Sequence, residues 1–193
     1  ANHPAGDQRL AGVAAHQVAV GLLDHKAADQ EVGHPAHQPQ ADIHIGFAIA
    51  LRQGGIRMPT MVLNAAPESW RVCRRFELEP VCPRWAYLRL LRRDYPDLPL
   101  HLELESGMHR LGLTGEGVDA LCADPELLRG LRLASIFSHL AAADDPAEDA
   151  FTHTQIARFR EASGRILGAW RAVNPDAPAP LRHLANSAGA IRF

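Results

Sequence analysis

The chain has 193 residues, with 20 basic and 22 acidic side chains and a formal net charge of −2, which is the size of one domain or a large piece of one. That balance offers no basic footprint for nucleic acid and no patch for a membrane surface, and no apolar run approaches the roughly 18–20 residues that span a bilayer. Three cysteines without C-x-x-C spacing (Cys73, Cys82, Cys122) fit a reducing cytoplasm better than a disulfide framework, and the first residues lack the basic–apolar–small order of a signal peptide.

Residues 1–40 are rich in Ala, Gln and His (His3, His16, His25, His34, His37). Apart from a short apolar run at residues 18–23 they show weak periodicity, and are expected to be loop or ill-specified helix, poorly ordered or aberrant as coding text. The division falls near residue 41. Beyond it, short apolar runs cover residues 43–51, 58–63 and 78–82, the first bounded by Gly54-Gly55. Pro83 suits the first turn of a helix, carrying Ala86, Tyr87, Leu90 and Leu91 and stopping before Pro96. Residues 98–105 form the next strand, in which Leu100, Leu102 and Leu104 alternate with His101, Glu103 and Glu105. Asp124-Pro125 opens a short helix, and residues 131–140 read as a mostly apolar strand. Thr152-x-x-Gln155 has the form of a capping box. It precedes Ile156, Phe159, Ile166, Leu167 and Trp170, which share one helical face. Residues 181–185 are the last strand.

Strands alternating with helices at this spacing predict βαβ units and a parallel sheet. Continuously apolar strands predict that both faces are covered. The polar face of residues 100–105 is then expected to point into a barrel lumen near its C-terminal mouth. An open doubly wound sheet is the alternative. No G-x-G-x-x-G follows a strand and no G-x-x-x-x-G-K-[ST] occurs, so nucleotide-binding versions of that sheet lose support.

Four segments carry the chemistry, in this order: His101-Leu102-Glu103-Leu104-Glu105-Ser106-Gly107-Met108-His109-Arg110-Leu111-Gly112; Ile136-Phe137-Ser138-His139-Leu140, followed by Ala143-Asp144; Phe151-Thr152-x-x-Gln155-x-x-x-Phe159; and His183-Leu184-Ala185-Asn186-Ser187-Ala188-Gly189. Together they resemble the pyridoxal-phosphate (PLP) barrel domain of alanine racemases, in the form sometimes fused to a cell-wall ligase. Leu51-Arg52-x-x-Gly55-Ile56-x-x-Pro59 and Met61-Val62-Leu63-Asn64 extend the match upstream, so that it covers residues 41–193.

The resemblance implies a (β/α)8 TIM-type barrel, here incomplete and without the C-terminal β domain, since a full barrel takes about 250 residues. It implies a homodimer, the cofactor PLP and the interconversion of L- and D-alanine, with no nucleic-acid or membrane partner. In such enzymes the ring serves as electron sink, and a cofactor-holding lysine and a tyrosine of the partner subunit exchange the Cα proton. Carried over, Arg110 matches the arginine that meets the PLP phenolic oxygen and the substrate carboxylate, tasks suited to its planar fork. Ser187 matches a phosphate-binding serine, and Asn186 and His139 match residues that shape the pocket. Glu103 departs from the pattern: many relatives hold a lysine there, which becomes an anion by carbamylation. Here a carboxylate already occupies the place, and is expected to orient Arg110 directly.

Lys26 is the only lysine, and so the one candidate for the Schiff-base role. It is followed by Ala27 but not by the family's Tyr-Gly, so a solvated surface lysine suits its context better. The opposing tyrosine and the arginine that faces the pyridine nitrogen are absent from the matched text. This polypeptide alone is therefore expected to be inactive. Plainer readings stand beside these: Arg110 as a structural ion pair with Glu103 or Glu105, His139 as a core histidine, Asn186-Ser187 as an ordinary turn. Another racemase or decarboxylase on the same barrel, or a non-catalytic PLP-binding barrel, are the alternative functions. His34, His37, His44 and Asp42 are zinc-ligand types, but their spacing matches no closed site, and no metal is expected.

Overall fold

In the computed structural model, described residues are 18–20, 39–82 and 84–193. Six strands, β1 (Val18–Val20), β2 (Thr60–Val62), β3 (Glu79–Cys82), β4 (Leu100–Glu103), β5 (Leu133–Ser138) and β6 (Leu181–Leu184), pair in chain order, every pair parallel. The helices α1 (Pro39–Gln53), α2 (Trp70–Arg75), α3 (Trp85–Asp94), α4 (Gly115–Ala123) and α5 (Asp149–Val173) fall between successive strands, and α6 (Gly189–Arg192) follows β6. Consecutive parallel pairing with a helix in each crossover is the arrangement of a (β/α)8 barrel, of which the described strands make a part. It excludes the doubly wound alternative, whose strand order reverses at a switch point.

Alternation in the strands sorts the side chains. Val62, Cys82, Leu100, Leu102, Leu104 and Ile136 join the main core with Ile45, Ala48, Trp70, Leu88, Leu91, Leu121, Phe159, Ile166 and Trp170 of the helices. On the other, inner face Met61, Val81 and Phe137 form a smaller cluster, beside the polar His101, Glu103 and Ser135. A register shift between Leu100 and His101 pairs Leu100 with Leu133 but His101 with Ser135. Ala134 is skipped, which places Leu133 with the core and Ser135 on the inner face.

Several expectations are corrected. Val18–Val20 is a strand, where loop or weak helix was expected. Residues 43–51 belong to helix α1: among its described side chains Ile45, Ala48 and Arg52 are buried, at helical spacing. Thr152 and Gln155 are not a capping box. The turn Pro146–Glu148, capped where the Asp145 side chain accepts from the Ala147 N–H at 2.9 Å, leads into α5 at Asp149. Thr152 and Gln155 therefore sit inside the helix, fully buried. The residues after Asp124 form a 3-10 turn, Pro125–Leu128, with no side-chain cap bond. Helix α4 went unread in the sequence; Thr114 caps it by accepting from Gly117. The expected Pro83 helix start lies outside the described residues, as do Lys26, His34 and His37.

Candidate active site

The carboxyl ends of β4, β5 and β6 lie side by side and carry the residues singled out in the sequence. Strand β4 delivers Glu103, 4% exposed, to the inner face. The chain then leaves in a loop closed at its neck: Leu113 N–H donates to the Glu103 carbonyl at 2.7 Å, and Glu105 N–H donates to the Leu113 carbonyl at 2.9 Å. Within it, the Glu105 side chain accepts from the Gly107 N–H. Gly112, at φ 116°, runs so close to the neck that a Cβ would sit 2.7 Å from Glu105 N. His109, at φ 55°, occupies the left-handed region. This tight path presents Arg110, an exposed side chain, to the strand ends.

Strand β5 ends on Ser138, whose hydroxyl donates to the Leu104 carbonyl at 2.6 Å. Ser106 lies 2.8 Å away and, since the Ser138 proton is committed, donates to Ser138. The next residue, His139, packs edge-on against Phe137. Its backbone is held by Gln155 of α5: Nε2 donates to the His139 carbonyl at 3.3 Å, and Oε1 accepts from Ala141 N–H at 2.9 Å.

Beyond β6, Asn186 donates through Nδ2 to the Leu140 carbonyl at 3.0 Å and accepts at Oδ1 from Gly189 N–H at 2.7 Å. It braces this loop against the end of β5. Gly189 packs closely here: a Cβ would lie 2.6 Å from Leu140 Cδ1 and 3.1 Å from Asn186 Oδ1, so both side chains would have to shift. Ser187, next in the chain, is exposed.

The electrostatics join the first three residues. Burial pushes the Glu103 carboxyl up to about 7; Arg110 opposes this and Glu105 adds to it. Burial also lowers His139, and the Arg110 charge lowers it further. Glu103 Oε2 and His139 Nε2 are buried without a hydrogen-bond partner among the described residues, a costly state for polar atoms. Glu103, Arg110 and His139 are thus brought within electrostatic reach of one another. Asn186 is tied to the residue after His139, with Ser187 following it.

Sequence reasoning missed Glu79 and Ser135, and gave Gln155 and His183, although both stand in the matched segments, no role in the site. Glu79 Oε2 accepts from His101 Nε2 at 2.9 Å, and the Ser135 hydroxyl lies 2.7 Å from His101 Nδ1 and 3.1 Å from His183 Nε2. The alternation of β4 had flagged His101. Two surface concavities, of about 340 and 420 Å3, are lined by Arg52, Arg57 and Phe76 and by Arg89, Arg92 and Asp124, and none of these groups lines either. Among the described residues no cluster of His, Cys, Asp or Glu is arranged to hold a metal, and no helix is long and apolar enough to cross a membrane.

This architecture has known counterparts. The alanine racemase of Synechocystis sp. is 35% identical over 153 residues, covering 76% of this chain and 39% of the relative. An amino-acid racemase of Enterococcus faecalis is 35% identical over 118 residues, covering 60% of this chain and 16% of its own. The crystal structure of Bartonella henselae alanine racemase with covalently bound pyridoxal phosphate superposes with a TM-score of 0.63 at 20% identity, over 77% of this chain and 40% of that one; it shares the fold. The chain thus spans about two fifths of the length of the alanine racemases it matches. The profile described as "Alanine racemase, N-terminal domain" matches residues 12–193, taking in every strand and the whole cluster at their carboxyl ends, and the chain belongs to that family.

Proposed function

We propose that this chain forms the cofactor-binding part of a PLP-dependent alanine racemase. The whole protein interconverts L- and D-alanine as a cytoplasmic homodimer and supplies D-alanine for peptidoglycan. The observation that carries this reading is the meeting of Glu103, Arg110 and His139 at the strand ends. Two buried polar atoms without partners, Glu103 Oε2 and His139 Nε2, face this region of charge.

The residues fit a phosphorylated pyridine. Arg110 supplies a fork of donors for a phenolic oxygen and a substrate carboxylate. Ser187 supplies an exposed hydroxyl for the phosphate. Asn186 has both ends of its amide committed to backbone, and serves by fixing the loop that carries Ser187. When bound, the cofactor's ring accepts the electron pair released as the alanine Cα–H bond breaks. Glu103 sets the position of Arg110 through its charge, the part a carbamylated lysine would otherwise play. His139, kept neutral by burial, leaves the positive charge of Arg110 uncontested. Lys26, the only lysine, is the one side chain able to bond the cofactor covalently.

The E. faecalis relative, whose printed activity is broader than alanine, supports a second reading: a racemase of the same barrel type acting on another amino acid.

The test is PLP binding to the purified chain, followed by tryptophan fluorescence and then by borohydride reduction and peptide mass spectrometry. Saturable binding is expected, weakened about tenfold, or ~1.4 kcal/mol, by Arg110→Ala and by Ser187→Ala. Equal affinity in both variants overturns the placement. Reduction reports whether Lys26 is engaged. Without a Lys-Ala-x-x-Tyr-Gly motif in the sequence, no D-alanine is expected from chain, PLP and L-alanine alone.

A further inference from the structure

Four polar side chains, one from each of β3, β4, β5 and β6, are linked across the inner face: Glu79, His101, Ser135 and His183. The middle of the chain is fully buried, with His101 and Ser135 both 0% exposed. A carboxylate only accepts, so His101 Nε2 carries the hydrogen shared with Glu79 at 2.9 Å. Ser135 has a single O–H proton and touches two imidazole nitrogens. With a single proton on His101, held at Nε2, its Nδ1 is an acceptor and takes the Ser135 proton, so that Ser135 in turn accepts from His183 Nε2.

The distances agree with this order. Bonds donated by a hydroxyl cluster near 2.7–2.8 Å and those donated by N–H near 2.9–3.0 Å, as order-of-magnitude guides. The 2.7 Å link to His101 Nδ1 is therefore the one that Ser135 donates, and the 3.1 Å link to His183 Nε2 is an N–H donated to Ser135. Burial, then the neighbouring His101 and His139, push the His183 pKa down to about 4, so the neutral ring has only that one proton. The ring lies flat on Phe137, centroids 5.2 Å apart and planes 7° from parallel, which fixes the direction of its second nitrogen.

We propose that Glu79, His101 and Ser135 are positioning residues that lock His183 into its Nε2–H tautomer and hold a bare Nδ1 as acceptor for an N–H or O–H donor at the carboxyl ends of the strands. The anchor is Glu79: its carboxylate fixes the His101 proton, which fixes the Ser135 proton, which fixes that of His183. The arrangement concerns the protons of this chain and goes beyond the cofactor reading, holding whether or not PLP binds.

The experiment is two-bond 1H–15N correlation spectroscopy on the histidine-labelled chain, with the His183 signals identified by their loss in His183→Gln. In the wild type, His183 is expected to show a protonated Nε2 and an unprotonated Nδ1. Ser135→Ala and Glu79→Leu are expected to lose that single-tautomer pattern, and Ser135→Thr to restore it. A protonated Nδ1 in the wild type overturns the proposal, as does a His183 tautomer unchanged in both Ser135→Ala and Glu79→Leu. Should neither variant fold, the wild-type spectrum decides alone. A purely structural role for Glu79 would leave the proton of a ring three links away where it was.

Discussion

Gln155, on helix α5, holds the backbone on either side of the bend after β5: it donates to the His139 carbonyl and accepts from the Ala141 amide. The orientation of His139 is therefore set from outside the sheet, by a side chain with no place in the site itself. Gln155→Leu keeps the volume but leaves a part-buried C=O and N–H without their partner. An unsatisfied group costs about 1–3 kcal/mol when fully buried, and about 1 kcal/mol is expected for each here. Urea denaturation is expected to show a loss of that order with an unchanged slope; an unaltered midpoint would show that the bend holds itself.

Glu103 makes stability depend on pH. Its carboxyl titrates at about 7 in the folded chain against an ordinary value of 4.5, so the folded state holds the proton more tightly. The resulting stabilisation is complete below pH 4.5 and is lost as pH rises through about 7. His183 acts in the opposite sense. With its folded pKa lowered to about 4 from 6.5, its contribution is present above 6.5 and lost as pH falls through 4. The two oppose each other in the overlap, which flattens the wild-type profile. Glu103→Gln is neutral at every pH. It is expected to gain on the wild type as pH rises through that window, by up to about 3 kcal/mol, and to leave the acid sensitivity of His183 uncovered. Thermal melts at a series of pH values check this; parallel curves for the two proteins would refute it. In the complete enzyme the same substitution is expected to weaken PLP binding, because Arg110 loses its orienting charge.

Gly112→Ala forces a side chain onto a backbone at φ 116° with a Cβ 2.7 Å from Glu105 N. The backbone strain alone costs about 1–3 kcal/mol, and the clash with the strand backbone adds to it. Gly115→Ala, three residues on, meets nothing within 4 Å and is expected to stay within about 0.5 kcal/mol of the wild type. Calorimetry on the pair separates a cramped turn from a general intolerance of the loop.

What could be read from the sequence follows from where each residue's pattern is unambiguous. Strand β4 was plain because three leucines alternate with three polar residues, which predicts one core face and one inner face. Arg110, His139, Asn186 and Ser187 are singled out because their segments occur in a fixed order. Helix α1 was hidden because Ile45 and Ala48 sit among Ile43, Phe47 and Ile49, which blur its period into a run of strand length. Gln155 was misread because a polar residue three after a threonine looks the same on paper whether it caps a helix or is buried in one. Ser135 was invisible because the skipped Ala134 moves it to the inner face, against the parity of Leu133. Helix α4 was missed because glycines at 115 and 117 weaken its propensity, leaving the Thr114 cap and the buried Val118 and Leu121 to form it.

The cysteines give a chemical readout of packing. Burial raises Cys73 and Cys82 to about 12, whereas Cys122 is half-buried. Since the thiolate is the reactive form, iodoacetamide at mildly alkaline pH is expected to modify Cys122 alone in the native chain and all three in denaturant, as counted by mass. Labelling of Cys73 before unfolding would contradict the core described for α2.

The closed neck of the Arg110 loop divides that segment into two kinetic classes. The Leu113 amide is bonded to Glu103 of strand β4 and the Glu105 amide to Leu113, while those of Leu111 and Gly112 make no backbone bond among the described residues. In deuterium oxide the neck amides should exchange only when the sheet opens and the crown amides almost at once. The guanidinium is thus carried on backbone whose opening is expected to be faster than that of the neck that holds it.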